Sequence, residues 1–187
     1  MDDQMQSKQP SVAVIGGGSF GTAVVKMVSE NLGSCHWWMH NEESALHIKR
    51  YHHNPRYLSS VGFQPGSIHI YTDVNAAVAK ADIVIFAVPS AFVKEVLEGM
   101  AEGALAGKLV CSTIKGIIPD ENMIVGEYLR EVVGIPEENI VVITGPCHAE
   151  EIALERLSFL TVAAKEKAVA ERVAGGLKNH YMRCTLS

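Results

Sequence analysis

The sequence predicts a doubly wound α/β fold, in which a mostly parallel sheet carries helices on both faces. Six short apolar runs, rich in Val and Ile and without polar alternation, are typical of strands buried on both faces. Amphipathic segments at helical spacing separate these runs, as in successive βαβ units. With 187 residues, 48% of them hydrophobic, the chain is long enough for one good core and too short for two full domains.

The elements follow from these patterns in chain order. Strands are expected at residues 12–15, 35–39, 68–71, 83–88, 109–113 and 140–144. Helices are expected at 20–32, 42–50, 74–80, 91–102 and 120–133, the last with Ile124, Leu129 and Val132 on one side. Residues 51–66 carry two prolines and two glycines, which predicts a long loop of the kind that is often functional. We expect residues 1–9 to be a disordered tail and 10–187 to be one folded domain.

Composition argues against several classes of protein. The net charge is −5 and no basic stripe is present, which argues against nucleic-acid binding. No apolar run reaches the length of about 18 residues that membrane insertion needs, so we expect a soluble, cytoplasmic protein. The four cysteines form no C-x-x-C pair, and we expect reduced thiols rather than a zinc site or disulfides.

A glycine motif follows the first predicted strand directly. Gly16, Gly18 and Gly21 stand between the run Val12–Ile15 and the first predicted helix, the context in which G-x-G-x-x-G binds a dinucleotide in Rossmann-type domains. Gly16 would permit the tight turn, Gly18 the approach of a pyrophosphate, and Gly21 close helix packing. Ser19 and Phe20 are then candidate contacts at the positive end of the helix. The alternative is a glycine turn that binds no ligand.

The choice between NAD and NADP depends on the end of the second strand. A carboxylate is usual there, about 20 residues after the motif, to bind the ribose. Here His40 and Asn41 occupy that place, with Glu42 beyond. Both His40 and Asn41 can donate hydrogen bonds to a 2′-phosphate, so NADP is tolerated, and Glu42 keeps NAD open.

Three further segments end predicted strands or fill the long loop. Pro89 halts the fourth strand within FAVPS, and Lys115 follows the fifth within STIKG, both at the sheet edge where such folds bind ligands. Lys115 is either a solvated loop charge or a cation that stabilises a phosphate or a developing alkoxide. Tyr57, in the long loop, is a candidate wall of the site. A metal role for the pair His52 and His53 lacks a third ligand with recognisable spacing.

Six segments in order, GGGSFGTA, WWMHN, NPRYL, AVPS, STIKG and GPCHAEEIA, resemble the NAD(P)-dependent glycerol-3-phosphate dehydrogenase family of bacteria. This resemblance implies that Lys115 contacts both cofactor and substrate, that Gly145 and Cys147 contact the substrate, and that Ala149 contacts the cofactor. The implied substrate is dihydroxyacetone phosphate or sn-glycerol 3-phosphate, used in phospholipid biosynthesis. Ser or Thr commonly stands where this chain has Cys147, and a thiol is the weaker donor.

The resemblance covers the N-terminal part of such enzymes, whose helical C-terminal domain supplies a general-acid lysine from a G-A-x-K-N motif. That motif is missing from this sequence; GGLKN at 175–179 falls at a helix end, before a last strand within NHYMRCTLS. We therefore expect this chain to bind NAD(P)H with negligible turnover. Two alternatives stay open: a stand-alone dinucleotide sensor, or a related dehydrogenase of the hydroxyacyl or ketopantoate type. Assembly as a homodimer is also left open.

Overall fold

The computed structural model describes residues 9–187, so the first eight residues of the tail predicted at 1–9 lie outside the described part. The described residues form an eight-stranded sheet in the order β10-β9-β8-β5-β4-β1-β2-β3 and a small two-stranded hairpin, β6-β7. The strands β1 to β5 are Val12–Ile15, Cys35–Trp38, Ile68–Tyr71, Ile83–Phe86 and Leu109–Ser112; β6 to β10 are Ile117–Ile118, Met123–Ile124, Ile140–Thr144, Ser158–Ala164 and Met182–Leu186.

Seven α-helices connect the strands of the described chain. They are α1 Ser19–Leu32, α2 Glu42–Tyr51, α3 Val74–Val78, α4 Val93–Glu98, α5 Val125–Glu131, α6 Ala149–Ala153 and α7 Lys167–Leu177. Short 3-10 turns at Ser90–Phe92 and Glu137–Asn139 precede α4 and β8. None of the helices in residues 9–187 is long and apolar enough to cross a bilayer.

Alternate residues of each central strand enter two separate cores, because successive side chains of a strand point to opposite faces. In β1, Val12 and Val14 belong to the core beneath α1, α2, α6 and α7. Ala13 and Ile15 belong to the other core, to which α3, α4 and α5 contribute. All four side chains are at most 2% exposed. The prediction of a doubly wound, mostly parallel sheet is confirmed.

The six strands predicted from apolar runs are all present, three of them shorter by one or two residues. The strand β9 was not predicted. It lies antiparallel to β8, with Val142 opposite Ala163, and β10 pairs with it in parallel. Its sequence, SFLTVAA, alternates in burial, so it lacks the uninterrupted Val- and Ile-rich run by which the other strands were predicted.

The helix predicted at 120–133 is wrong over its first five residues. Asp120 and Asn122 have φ values of 67° and 54°, and this left-handed conformation excludes a helix there. The segment turns instead into the β6-β7 hairpin, and α5 begins only at Val125. Ile124 and Val132 are consequently 55% and 52% exposed, and only Leu129 of the predicted apolar face is buried.

Candidate functional site

The glycine motif forms a tight turn where β1 ends. Gly16 has a φ of 132°, and a Cβ at this residue would lie 2.5 Å from the carbonyl oxygen of Ala87. A Cβ at Gly21 would lie 2.3 Å from the carbonyl oxygen of Gly16. Any side chain would therefore clash with backbone at both positions. The turn predicted at Gly16 and the close helix packing predicted at Gly21 are both present.

Gly18 differs from the other two glycines because the folded chain does not require it. Its φ of −78° and ψ of −175° are open to any residue. A Cβ at Gly18 would have no atom of the described residues within 4 Å. The open space beside Gly18 is part of a cleft, as expected where a phosphate approaches the backbone.

The first turn of α1 is suited to an anion. The first intrahelical bond is donated by Thr22 N to Gly18 O at 2.9 Å, so the amides of Ser19, Phe20 and Gly21 have no intrahelical acceptor. The first turn carries no acidic side chain. These amides and the positive end of the 14-residue helix favour a bound phosphate.

Two clefts meet at the carboxyl end of β4, with cavity volumes of about 320 Å³ and 310 Å³. Val88 and Pro89 line both of them. The sheet order places β4 beside β1, and from this point the chain builds β2 and β3 on one side and β5 and β8 on the other. Open α/β sheets bind their ligands at such a switch point. Pro89 thus lies where the sequence predicts a ligand.

The first cleft is lined by the glycine loop, by His40 and by α4. His40 lies in it as predicted, beside Trp38. Asn41 caps α2 instead, and its Oδ1 accepts a hydrogen bond from Ser44 N at 2.7 Å. Phe92 and Glu95 also line this cleft and were not predicted, because the sequence reading of VPS stopped at the strand end. The signal available in the sequence was an aromatic residue shortly after the strand end, and in the structure its side chain is 53% exposed.

The second cleft brings Lys115 to the glycine motif. It is lined by Gly18, Ser19, Phe20 and Lys115 among others. Lys115 Nζ donates a hydrogen bond to the carbonyl oxygen of Gly145 at 3.2 Å, which joins the STIKG and GPCHAEE segments. Gly145 has a φ of 148°, and a Cβ there would lie 2.6 Å from the carbonyl oxygen of Phe159, so only glycine fits.

Cys147 and Ala149 lie outside the lining of both clefts. They are 5% and 6% exposed and belong to the apolar core. Burial raises the pKa of the Cys147 thiol, although the nearby charge of Lys115 acts in the opposite direction. A protonated, buried thiol is a poor nucleophile, which argues against covalent catalysis by Cys147. The substrate contact of Cys147 and the cofactor contact of Ala149 stay predictions.

The long loop at 51–66 contributes a different residue from the one predicted. Tyr57 is 44% exposed and lines neither cleft, so its role as a wall of the site stays a prediction. Asn54 is 1% exposed, and its Nδ2 donates to the carbonyl oxygen of Gly17 at 3.0 Å. An asparagine before proline is an ordinary turn residue, and the contact spans 37 residues, so no local pattern predicts it. In the described part of the chain no three His, Cys, Asp or Glu side chains converge as metal ligands.

The family model for the N-terminus of NAD-dependent glycerol-3-phosphate dehydrogenase matches residues 11–170. A glycerol-3-phosphate dehydrogenase (NAD(P)+) from Ectopseudomonas mendocina is 36% identical over 179 residues, which are 96% of this chain and 51% of that protein. The chain thus spans about half the length of the curated relatives it matches.

Two solved structures share the fold. Glycerol-3-phosphate dehydrogenase from Plasmodium falciparum superposes with a TM-score of 0.84 at 22% identity, over 95% of this chain and 52% of that one. The enzyme from Coxiella burnetii gives a TM-score of 0.82 at 19% identity, over 96% and 54%. The glycine turn, the paired clefts and the family match agree, and the chain belongs to the NAD-dependent glycerol-3-phosphate dehydrogenase family, matching its N-terminal part.

Proposed function

We propose that this chain is the cofactor-binding part of an oxidoreductase that interconverts dihydroxyacetone phosphate and sn-glycerol 3-phosphate with NAD(H) or NADP(H). One observation carries the proposal: the glycine motif and Lys115, whose ammonium group bonds the carbonyl oxygen of Gly145, line one cleft at the switch point of the sheet. Family membership favours this function over a hydroxyacyl or ketopantoate dehydrogenase.

The cofactor lies across the two clefts, with a different part of it in each. The amides of Gly18 to Gly21 hold the pyrophosphate, and the first cleft takes the adenosine half, with the exposed ring of Phe92 as a stacking surface. The second cleft takes the nicotinamide end. When bound, the nicotinamide supplies or accepts a hydride at its C4 carbon.

Lys115 is the chain's main contribution to the substrate. Its ammonium group is exposed in the second cleft, and the carbonyl of Gly145 orients it. A cation held there attracts the phosphate of the substrate and stabilises negative charge on the oxygen that loses or gains the proton. Gly145 keeps the backbone close to the ammonium group because no side chain fits at this position.

A cytoplasmic location belongs to the same proposal. Four free thiols, at Cys35, Cys111, Cys147 and Cys184, suit a reducing compartment. Burial raises the pKa of Cys35 and of Cys111, which keeps both thiols protonated and unreactive. A homodimer is compatible with this assignment and is tested by the mass of the protein in solution.

Calorimetric titration tests the function in two steps. NADH and NADPH are titrated separately into the chain, and sn-glycerol 3-phosphate is then titrated into the cofactor-saturated protein. Lys115→Met should weaken binding of the glycerol phosphate by about tenfold or more, since a charge-assisted hydrogen bond is lost.

Lys108→Met is the matched control for this titration. Lys108 Nζ also donates to a backbone carbonyl, that of Ala81, at 2.7 Å, but it precedes β5 and lies at the opposite edge of the sheet. The proposal is contradicted if neither dinucleotide binds, or if the two lysine variants weaken glycerol phosphate binding equally.

A further inference from the structure

Asn54 uses both ends of its side-chain amide. Its Nδ2 donates to Gly17 O at 3.0 Å and to Thr22 Oγ1 at 2.9 Å. Its Oδ1 accepts from Arg56 N at 3.0 Å and from Tyr57 N at 3.2 Å. The acceptor bonds close a local turn, whereas the donor bonds reach the glycine motif more than 30 residues away in the chain.

Thr22 extends this contact to the next peptide. Its hydroxyl accepts from Asn54 and donates to Gly18 O at 2.8 Å. Thr22 is fully buried, so water does not compete for these bonds. Asn54 and Thr22 together hold the carbonyl oxygens of two consecutive peptide groups, those of Gly17 and Gly18.

Because the peptide group is planar, a hydrogen bond to its carbonyl oxygen also fixes the direction of its N–H group. In a trans peptide the carbonyl oxygen and the following N–H point in opposite directions. Fixing Gly17 O therefore fixes the N–H of Gly18 on the opposite side, and fixing Gly18 O does the same for the N–H of Ser19. Gly18 and Ser19 both line the second cleft.

We propose that Asn54 is a positioning residue for the dinucleotide: it holds the glycine motif in the conformation that presents the Gly18 and Ser19 amides to the pyrophosphate. The inference rests on the proposed function, which requires dinucleotide binding. Only an amide side chain meets both demands at this site, because a carboxylate would place an acceptor against Gly17 O.

A second asparagine, Asn179, forms the same local turn without donating hydrogen bonds to the glycine motif. Asn179 Oδ1 accepts from Tyr181 N at 3.2 Å and from Met182 N at 2.9 Å, the same pattern of residues two and three positions ahead. Its Nδ2 is buried without a partner among the described residues. The turn itself therefore does not depend on the amide NH₂ group, and Asn179→Asp is a matched control for Asn54→Asp.

The test measures binding of NADH, ADP and adenosine to the unaltered chain and to Asn54→Asp, Thr22→Val and Asn179→Asp, with the melting temperature of each. We expect Asn54→Asp to bind NADH and ADP about tenfold more weakly or worse, and Thr22→Val about threefold to tenfold more weakly. Thr22→Val introduces no charge, so it separates loss of positioning from repulsion of phosphate. Adenosine, which has no phosphate, should keep its affinity in all variants, and Asn179→Asp should bind all three ligands normally.

The outcomes distinguish this inference from the function on which it rests. If the unaltered chain does not bind NADH, the proposed function fails and the inference fails with it. If the unaltered chain binds NADH and the folded Asn54→Asp and Thr22→Val variants bind equally well, only the inference is overturned. It is also overturned if adenosine affinity falls in parallel with ADP affinity, because a general loss of structure would then explain the effect. Should Asn54→Asp not fold, Thr22→Val alone decides.

Discussion

The fold requires glycine at some positions of the motif, whereas at Gly18 the ligand requires it, and substitutions distinguish these two cases. At Gly18 an added methyl group would meet no protein atom and would occupy the cleft. We therefore expect Gly18→Ala to change the free energy of unfolding by no more than about 1 kcal/mol and to weaken NADH binding about tenfold or more, by steric exclusion of the pyrophosphate. Thermal unfolding and calorimetric titration measure the two effects.

Gly16→Ala is the contrasting variant. The positive φ and the contact at 2.5 Å with Ala87 O make this substitution destabilising by about 2 kcal/mol or more. A stable Gly16→Ala variant, or a Gly18→Ala variant that binds NADH normally, would contradict the assignment of these glycines.

The preference for NADH or NADPH also depends on single residues. His40 and Glu95 line the same cleft from different elements. His40 follows β2, and Glu95 lies on α4. A 2′-phosphate in this cleft is attracted by a donor at His40 and repelled by the Glu95 carboxylate. Glu95→Gln should thus strengthen NADPH binding by about twofold to fivefold relative to NADH, and His40→Ala should weaken NADPH binding more than NADH binding.

Separate titrations of the two dinucleotides provide the measurement. Glu98→Gln is the control, since Glu98 is on the same helix but does not line the cleft. An equal change of NADPH affinity in the Glu95 and Glu98 variants would show that the net charge of the chain, and not the cleft, is responsible.

Residues of the site were predictable where their signal is local. Gly16, Gly18 and Gly21 sit in a fixed spacing after a strand, and Lys115 follows a buried strand, so chain position alone places them at the carboxyl edge. Phe92 and Glu95 follow the end of β4 closely, but the sequence does not tell which face of this helical segment meets the cleft. Asn54 enters the site only through the packing of a loop distant in sequence from the glycine motif. For Tyr57 the loop was predicted correctly, but its role stays a prediction, because the direction of a side chain in an irregular loop does not follow from sequence.

At the scale of elements, an ionic cluster connects α1 to the segments that precede β9 and β10. Lys26 on α1 bonds Glu30 and, at 3.0 Å, Glu155, and its side chain is only 7% exposed. Burial alone would lower the pKa of Lys26, but the two carboxylates raise it overall. Tyr181 donates to Glu30 at 2.6 Å, and burial together with this bond raises the pKa of Tyr181 to about 12. His180 contacts Glu155 at 3.1 Å.

The cluster makes stability depend on pH through Glu155. The hydrogen bond and the charge of Lys26 hold the pKa of Glu155 below its ordinary value. A carboxyl group with a lowered folded-state pKa stabilises the protein above its unfolded pKa, and this contribution is lost as the pH falls through the folded-state value. Glu155→Gln should therefore melt at a lower temperature than the unaltered chain at neutral pH, with the difference closing as the solution becomes acidic.

Melting temperatures of both proteins across the acidic range provide the measurement. Glu171→Gln is the control, because Glu171 pairs with Lys167 at 3.6 Å on an exposed helix face, where an ion pair contributes little. A difference between the unaltered chain and Glu155→Gln that stays constant with pH would show that packing, and not the charge, accounts for it.

The arrangement of the whole molecule explains why β9 was harder to predict than the central strands of the sheet. Strands buried on both faces, such as β1, β4 and β5, produce uninterrupted apolar runs, and the half-exposed edge strand β3 was recognised from a similar short run. The strand β9 packs on a single core through Leu160 and Val162, whereas Phe159 is 50% exposed, so its sequence is mixed. Its antiparallel direction depends on the short α6 connection, which carries no periodic signal of its own.

The same arrangement makes ligand binding a property of the whole fold. The two clefts are bounded by β1, by β4 and by the helices that follow these strands. A dinucleotide that fills both clefts therefore contacts strands that contribute to both cores. Only the folded chain can bind it. Binding to the folded state alone stabilises it by about 2.7 kcal/mol at a ligand concentration of 100 Kd. For a chain of this size that corresponds to a rise in melting temperature of about 5–10 °C.

NADH at this excess should produce this rise in melting temperature, and nicotinamide mononucleotide, which lacks the adenosine half, should produce a smaller one at equal concentration. An equal rise with both ligands would place the binding energy in the second cleft alone, and no rise with either would contradict the dinucleotide site.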